Sequence, residues 1–498
     1  MDHALTSPLA HDPIDALTSW HSRWAGLRVA VLGLGKTGFA VADTLVDLGA
    51  SVLAVTERAP EAQARLLSVL GVPLLERADL STAPEELLAF DAELLIVSPG
   101  FPPHHPLLGW AAEAGIPVWG DIELAWRLRD RLGTPAEWIT VTGTNGKTTT
   151  VQLTEHLLRS AGVRAVACGN IGVPVLDAIV APEQFDVLVV ELSSHQLHYL
   201  SHAIAPFASV CLNIAEDHLE WHGSADAYVA AKGNVYANTR VACVYNRADP
   251  VTERLVEEAD VQEGARAIGF GLGVPGQSDV GIVEGILVDR AFLDDRRNSA
   301  LEITTVAELD EAGLAAPHIV ANVLAATALV RSYGVEPAAI RSALTTFSLD
   351  HHRIERVARH ADVDWVDDSK ATNPHAADAS LRAFPSVVWV VGGLLKGVDI
   401  DDLVRAHVPR LRAAVVIGAD RSALREAFAR HAPALPVFEV EAGDTEEVMP
   451  AVVHVAAEAA RAGDTVLLAP AAASMDQFSD YSDRGRRFQA AVHEFYGR

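Results

Sequence analysis

Two short glycine-rich loops carry the most legible chemistry in this chain. One, TGTNGKTTT at 142–150, lies between a strand-like and a helix-like segment. Gly143 and Gly146 free the backbone to wrap phosphate oxygens. Lys147 supplies a point charge for the terminal phosphates, and Thr148, followed by Thr149, holds the hydroxyl position that reaches Mg2+. Only Thr144 and Asn145 separate the two glycines, so the loop is a relative of the common GxxxxGK[ST] pattern and not a copy. The other loop, GLGKTG, sets Gly33, Gly35 and Gly38 in a GxGxxG spacing after a strand, with Glu57 ending the next strand. Such a turn brings a pyrophosphate to a helix N-terminus, and by itself it would suggest an NAD-dependent oxidoreductase.

A triphosphate site needs a metal. Glu191 stands at a strand end in VLVVELSS, and Asp217 and His218 follow another apolar strand in NIAEDHLEWH. The carboxyl edge of such a sheet is where ligands bind. Lysine is scarce: the chain holds 34 arginines and five lysines. Lys36 and Lys147 lie in the two glycine loops, Lys232 follows the EDH segment, and Lys370 and Lys396 lie in DDSKATN and GGLLKG. An arginine keeps its charge, whereas a buried lysine can lose it and become a nucleophile. Around Lys232 the pattern predicts a helix with Ser224 as its N-cap and Tyr228, Lys232 and Tyr236 on one face.

These residues need elements to hold them. Short β-branched runs (27–35, 93–100, 137–143, 185–194) alternate with helical stretches, as buried parallel strands do, and the pattern restarts after HHRIE at 351–355. Three α/β units follow, 1–130, 131–348 and 349–498, with residues 1–20 read as a loose leader. Residues 250–312 are less regular and rich in glycine and acid, a variable edge of the middle unit. Asn246 and Asp249 in CVYNRADP carry no assigned role.

A net charge of −27 argues against nucleic acid or an anionic membrane as the main partner. No apolar run reaches the ~18 residues of a membrane helix. Cys168, Cys211 and Cys243 form neither a metal spacing nor a disulfide framework, which fits a reducing cytoplasm.

Taken in order, TGTNGKT, ELSS, EDH, AAK, HRIE, DDSKATN, GG..KG and APAAASMDQF resemble the Mur ligases, ATP-dependent amino-acid-adding enzymes of peptidoglycan precursor synthesis. GLGKTG, VSPG, DDSKATN and SMDQFSDYSDRG resemble the D-glutamate-adding branch in particular. The resemblance covers most of the chain from about residue 27, apart from 250–312.

What it implies is a three-domain α/β fold: an N-terminal Rossmann-like unit, a central P-loop ATPase-like parallel sheet and a C-terminal Rossmann-like unit. The substrates would be UDP-MurNAc-L-Ala, D-glutamate and ATP with Mg2+ at two sites, in a cytoplasmic, monomeric enzyme. The uridine nucleotide would meet Gly35, Lys36, Thr37, Thr56, Glu57, Arg58, Ser98, Gly100 and Asn145. ATP would meet Gly143, Thr144, Asn145, Gly146, Lys147, Thr148 and Thr149, with Asn322, Arg353, Asp368 and Lys370 added, and domain closure would precede chemistry. Ile319 stands where some members carry an asparagine. Thr148 and Glu191 would serve one metal, and His218 with a CO2-derived carbamate on Lys232 a second. Thr372, Lys396, Ser474, Met475 and Tyr481 would hold D-glutamate. Lys147, His218 and Lys232 would be catalytic. Competing readings are another amino-acid or polyglutamate ligase of the same superfamily, and the oxidoreductase.

Overall fold

The computed structural model describes residues 12–201, 203–441 and 444–497. Its strands form three sheets. The first holds Arg28–Leu32 (β1), Ser51–Thr56 (β2), Leu74–Glu76 (β3), Leu94–Val97 (β4) and Val118–Gly120 (β5), all parallel, in the order β3-β2-β1-β4-β5. The order reverses between β1 and β4, and at such a switch point the strand-end loops splay apart to leave a crevice.

The second sheet has nine strands: Glu137–Thr142 (β6), Ala165–Gly169 (β7), Val187–Glu191 (β8), Ala208–Cys211 (β9), Ala242–Asn246 (β10), Arg266–Phe270 (β11), Asp279–Val283 (β12), Ile286–Asp289 (β13) and Leu301–Thr305 (β14). Their order is β14-β13-β12-β11-β10-β9-β6-β8-β7, so β6 lies between β8 and β9. The central sheet is parallel, as expected, except at the edge built by the less regular segment. β13 pairs antiparallel with both β12 and β14. The less regular segment is an ordered extension of the sheet edge: the two-residue turn Glu284–Gly285 joins β12 to β13 as a hairpin, and a longer loop, 290–300, returns the chain to β14 beside β13.

The third sheet contains Glu355–His360 (β15), Val363–Asp367 (β16), Val387–Gly392 (β17), Leu411–Ile417 (β18), Val437–Glu439 (β19) and Thr465–Leu468 (β20), ordered β15-β16-β20-β17-β18-β19. Only β15 runs antiparallel. Along β17, Val388 and Val390 enter one core while Val387, Trp389 and Val391 enter another. That two-faced burial is why the strand reads as an unbroken apolar run. By packing, the chain divides into two compact units, one carrying the first two sheets and the other the third.

The leader also needs correcting. Residues 1–11 lie outside the described residues, but 12–20 are packed. Leu17 is fully buried, the Ser19 hydroxyl and the Trp20 N–H both bind the Asp130 carboxylate, and Arg127 donates to the Leu17 carbonyl. The short apolar spacing of this stretch gave no periodicity to read, so its docking is a tertiary event.

Candidate active site

The phosphate loop leaves β6 through two positive-φ glycines, Gly143 (φ 152°) and Gly146 (φ 85°). A Cβ at Gly146 would stand 2.6 Å from Asn322 Oδ1, and one at Gly143 would stand 2.9 Å from the Leu212 Cβ. Glycine is therefore required at both, and Asn322 is brought against the loop. Lys147 opens the helix Lys147–Ser160, and its Nζ folds back to donate to the carbonyls of Gly143 (2.7 Å) and Thr144 (3.0 Å). Thr148 is half-buried and Thr149 buried.

Sequence reasoning missed what pins this loop. Asn213, just past β9, accepts the Asn145 N–H at 2.8 Å and donates back to the Asn145 carbonyl at 3.0 Å. The Thr144 hydroxyl binds Tyr228 Oη (2.8 Å) and accepts the Ala215 N–H (2.9 Å), so this side chain fastens the loop to its neighbours. Asp249 likewise has a structural use, capping the helix Pro250–Glu257 and accepting the Ile214 N–H.

Glu191 ends β8 beside the loop and is 1% exposed. Its Oε1 accepts from Asn170 Nδ2 at 3.1 Å, while its Oε2 is buried with no hydrogen-bond partner. An orphaned buried carboxylate oxygen is costly in a protein interior and is what a hard divalent cation takes up. β8 pairs with β6, the strand from which the phosphate loop departs, so this carboxylate stands at the same sheet edge as the loop that carries Thr148, and an oxygen donor pair of this kind suits Mg2+. His218 precedes the helix Leu219–His222 in the left-handed region (φ 52°), with its Nε2 3.5 Å from Asp217 Oδ2. The His195 ring lies 4.7 Å from that of His218 and 4.4 Å from Trp221. Burial, aided by the neighbouring histidines and Lys232, pushes the His195 pKa down to about 3, so it is neutral.

Lys232 lies on the helix Ala225–Gly233, capped by the Ser224 hydroxyl as expected. It is 2% exposed and donates to Thr142 Oγ1 (3.0 Å) and the Gly143 carbonyl (2.8 Å). Burial first, and the charge of Lys147 second, hold its pKa well below the usual lysine range. Tyr236 falls beyond the helix end, in a 3-10 turn, and donates to the Val244 carbonyl.

At the first sheet's switch point a Cβ on Gly33 would lie 2.7 Å from the Ser98 Cβ, so the GLGKTG and VSPG turns converge. Gly35, Lys36, Glu57, Arg58 and Gly100 are exposed there, Thr37 and Ser98 half-buried. Thr56 is buried and donates to the Arg58 carbonyl, which shapes the strand-end turn. His105, not singled out before, places its Nε2 4.0 Å from Glu57 Oε1 while its Nδ1 accepts the Leu107 N–H.

In the third unit the loops after β16, β17 and β20 share one edge. Asp368 is buried, bound by the Ser380 hydroxyl and the Ile354 N–H, and burial pushes its pKa up to about 6. Arg353 lies near enough to act on that carboxylate electrostatically. Lys370 Nζ sits 3.8 Å from the Tyr481 ring centroid, a cation–π distance. The Thr372 N–H donates to the Lys370 carbonyl. Leu394 and Ala473 exchange backbone hydrogen bonds, which brings the Lys396 and Ser474 loops together. Lys396 (φ 55°) and Met475 are exposed and Ser474 is buried. Ile319 is buried.

Arg484 was missed outright. Fully buried, it donates to Ser369 Oγ (2.9 Å), the Ser369 carbonyl (2.9 Å) and the Ala472 carbonyl (3.1 Å), and burial pushes its pKa down to about 10. It ties DDSKATN to APAAASM. Within SDRG it reads as one more helix arginine, so local sequence held no signal. His352, Glu355 and Asp367 also gather their ligand atoms closely, but the Gln489 amide sits among them and donates at 2.8 Å to both carboxylates.

A phosphate loop at the carboxyl edge of a mostly parallel sheet, in a chain with two further α/β sheets, marks a nucleotide-dependent enzyme. Comparison narrows the class: this chain belongs to the Mur ligase family. Residues 27–120 match the Mur ligase MurD-like N-terminal domain, 141–330 the Mur ligase middle domain, and 352–472 the Mur ligase glutamate ligase domain. It is 66% identical to the UDP-N-acetylmuramoylalanine–D-glutamate ligase of Leifsonia xyli, over 98% of this chain and 96% of that one. With the ligase of that name from Streptomyces avermitilis it shares 53% identity, over 95% and 99%. Among solved structures it is similar in fold to MurC from Thermotoga maritima (TM-score 0.55, 20% identity, covering 95% and 99%) and to MurF from Acinetobacter baumannii (0.57, 20%, 94% and 91%).

Proposed function

We propose that this chain joins D-glutamate to UDP-MurNAc-L-Ala with ATP, a step of peptidoglycan precursor synthesis. The observation that carries the reading is the meeting, at one sheet edge, of Lys147, the orphaned oxygen of Glu191 and a buried Lys232. High identity to ligases bearing that name, over nearly the whole chain, supports the choice of amino acid.

The L-alanine carboxylate attacks the γ-phosphorus of ATP, an O–P bond forms, the bond to ADP breaks, and an acyl phosphate results. The D-glutamate amine then attacks the acyl carbon, phosphate leaves and an amide forms, with one amine proton lost. Both partners in the first step are anionic, so positive charge must be in place beforehand. Lys147 and the N–H groups at the start of its helix provide it. Mg2+, when bound through Thr148 and Glu191, adds Lewis-acid charge at the phosphates. His218 stands half-exposed beside Asp217, able to hold the incoming amine or take its proton.

Lys232 has two acceptors, Thr142 Oγ1 and the Gly143 carbonyl. A neutral amine fills both with its two N–H groups and keeps a lone pair, whereas an ammonium would carry a third N–H. That lone pair could add to the carbon of CO2, with one N–H proton lost to solvent, to give a carbamate, which with His218 would serve a second Mg2+. In the same reading the uridine end sits on the first sheet's loops, and Thr372, Lys396, Ser474, Met475 and Tyr481 hold D-glutamate. Arg353, Asp368 and Lys370 serve ATP. No helix among the described residues is long and apolar enough to cross a membrane. In the same reading the reaction, which draws on ATP and a nucleotide-linked precursor, is cytoplasmic.

Phosphate release assayed with UDP-MurNAc-L-Ala and a panel of amino acids tests the reading. Turnover with D-glutamate is expected; turnover with L-lysine or diaminopimelate in its place, or NADH oxidation without ATP use, overturns it.

A further inference from the structure

Beyond Glu191 the chain runs through Ser193–Ser201, and this stretch is tied at three points to the unit of the first sheet. Gln196 Nε2 donates to Asp121 Oδ2 at 3.0 Å, the Ser201 hydroxyl donates to Glu123, and Tyr199 Oη donates to the Phe101 carbonyl at 3.0 Å. Phe101 directly follows Gly100 of the VSPG turn. A side chain at Gly120 would crowd Tyr199, with its Cβ only 3.1 Å from the tyrosine Cβ, so the contact is closely fitted.

The first tie has a directional consequence. Asp121 and Gln196 are 5% and 4% exposed. Burial pushes the Asp121 pKa up to about 6, which still leaves a carboxylate at pH 7. A carboxylate only accepts, so Gln196 must turn its NH2 toward Asp121 and its oxygen toward Ser193. That oxygen accepts the Ser193 N–H (3.1 Å) while the Ser193 hydroxyl accepts the Gln196 N–H (3.1 Å), closing a capping box. The next residue, Ser194, pairs through its hydroxyl with His222 Nε2 at 3.0 Å, and His222 and His218 are on one short turn. The orientation of one amide therefore sets the turn that starts two residues past Glu191 and touches the His218 segment.

We propose that Asp121 is a positioning residue for the ligase reaction: it fixes the Gln196 amide, and through it the Ser193–Ser194 turn that holds Glu191 and the His218 segment in place. This rests on the reading of Glu191 as a Mg2+ ligand.

The test compares Asp121→Leu, of similar volume with no acceptor, with Asp121→Asn, which keeps one carbonyl acceptor. In ligand-free, full-length protein, hydrogen exchange at the Ser193 and Gln196 amides should quicken at least tenfold in the Leu variant and stay near wild type in the Asn variant. In steady state the Leu variant should lose at least tenfold in kcat and need at least fivefold more Mg2+ for half-activity, with KM for the uridine substrate within twofold; Asn should restore most of the kcat. Wild-type exchange together with kcat within twofold in the Leu variant overturns the proposal. If that variant does not fold, Tyr199→Phe loosens the same stretch by one hydroxyl: exchange across 193–201 at least twofold faster supports the proposal, and unchanged exchange overturns it. An unchanged Mg2+ requirement in Glu191→Gln would instead sink the metal reading, and it leaves the exchange result to judge Asp121 alone.

Discussion

Replacing Lys232 by arginine puts a permanent cation where the buried amine can be neutral and adds length, and the structure says why it should fail. The site offers two acceptors, Thr142 Oγ1 at 3.0 Å and the Gly143 carbonyl at 2.8 Å, to a side chain 2% exposed. Thr142 Oγ1 already donates to the Leu192 carbonyl at 2.7 Å, so toward residue 232 it can only accept. A guanidinium brings five N–H groups that it cannot shed, leaving about three buried donors unmet at roughly 1–3 kcal/mol each. The chain would relieve that cost by moving the backbone at Thr142–Gly143, which is the root of the phosphate loop. A displacement near 1 Å at such a point costs on the order of 10²-fold, about 2.7 kcal/mol of barrier. Loss of the proposed carbamate would act in the same direction. The expected result is a fall in kcat of at least ~10²-fold in a phosphate-release assay at saturating substrates. A 13C carbamate resonance in protein equilibrated with labelled bicarbonate should be present in the wild type and absent in the variant. An arginine variant with near-normal kcat would refute the argument, since it would show that neither a neutral amine nor the exact seat of the loop matters.

Three further outcomes are expected. Glu191→Gln keeps the shape and the Asn170 contact but weakens the oxygen that lacks a partner; the Mg2+ needed for half-activity should rise at least ~10-fold, as a metal titration of activity would show. Arg484→Leu removes three buried hydrogen bonds that tie two loops together, so it should cost about 3–5 kcal/mol in urea unfolding of the full chain and raise KM for D-glutamate. Asp368 has its folded pKa raised from 3.8 to about 6, so the folded state binds the extra proton between those values and stability falls as pH rises through that window. Relative to wild type, Asp368→Asn should gain stability between pH 4 and pH 6.5, by at most about 3 kcal/mol, measured by denaturation at both pH values.

Some of this protein was decided within single stretches of sequence. TGTNGKTTT announces a phosphate loop because the glycines, the lysine and the threonines act through backbone shape and charge over a few residues, and Ser224 caps its helix for an equally local reason. Lys232 could be singled out because lysine is rare here and arginine cannot lose its charge. The apolar runs of the strands were readable because both faces of the sheets are buried.

Other features only the tertiary structure decided. In a parallel sheet the strands are not laid down in chain order, so β6 has β8 and β9 as neighbours and the loops that share its edge come from distant segments. That is how Asn213 comes to hold Asn145, Asn322 to lie against Gly146, and Gln196 to meet Asp121. Arg484 reaches Ser369 for the same reason, its helix packing across the third sheet to the end of β16. None of these residues differs locally from an ordinary surface side chain; burial and the partner's position give each its role, and both exist only once the strands have found their order.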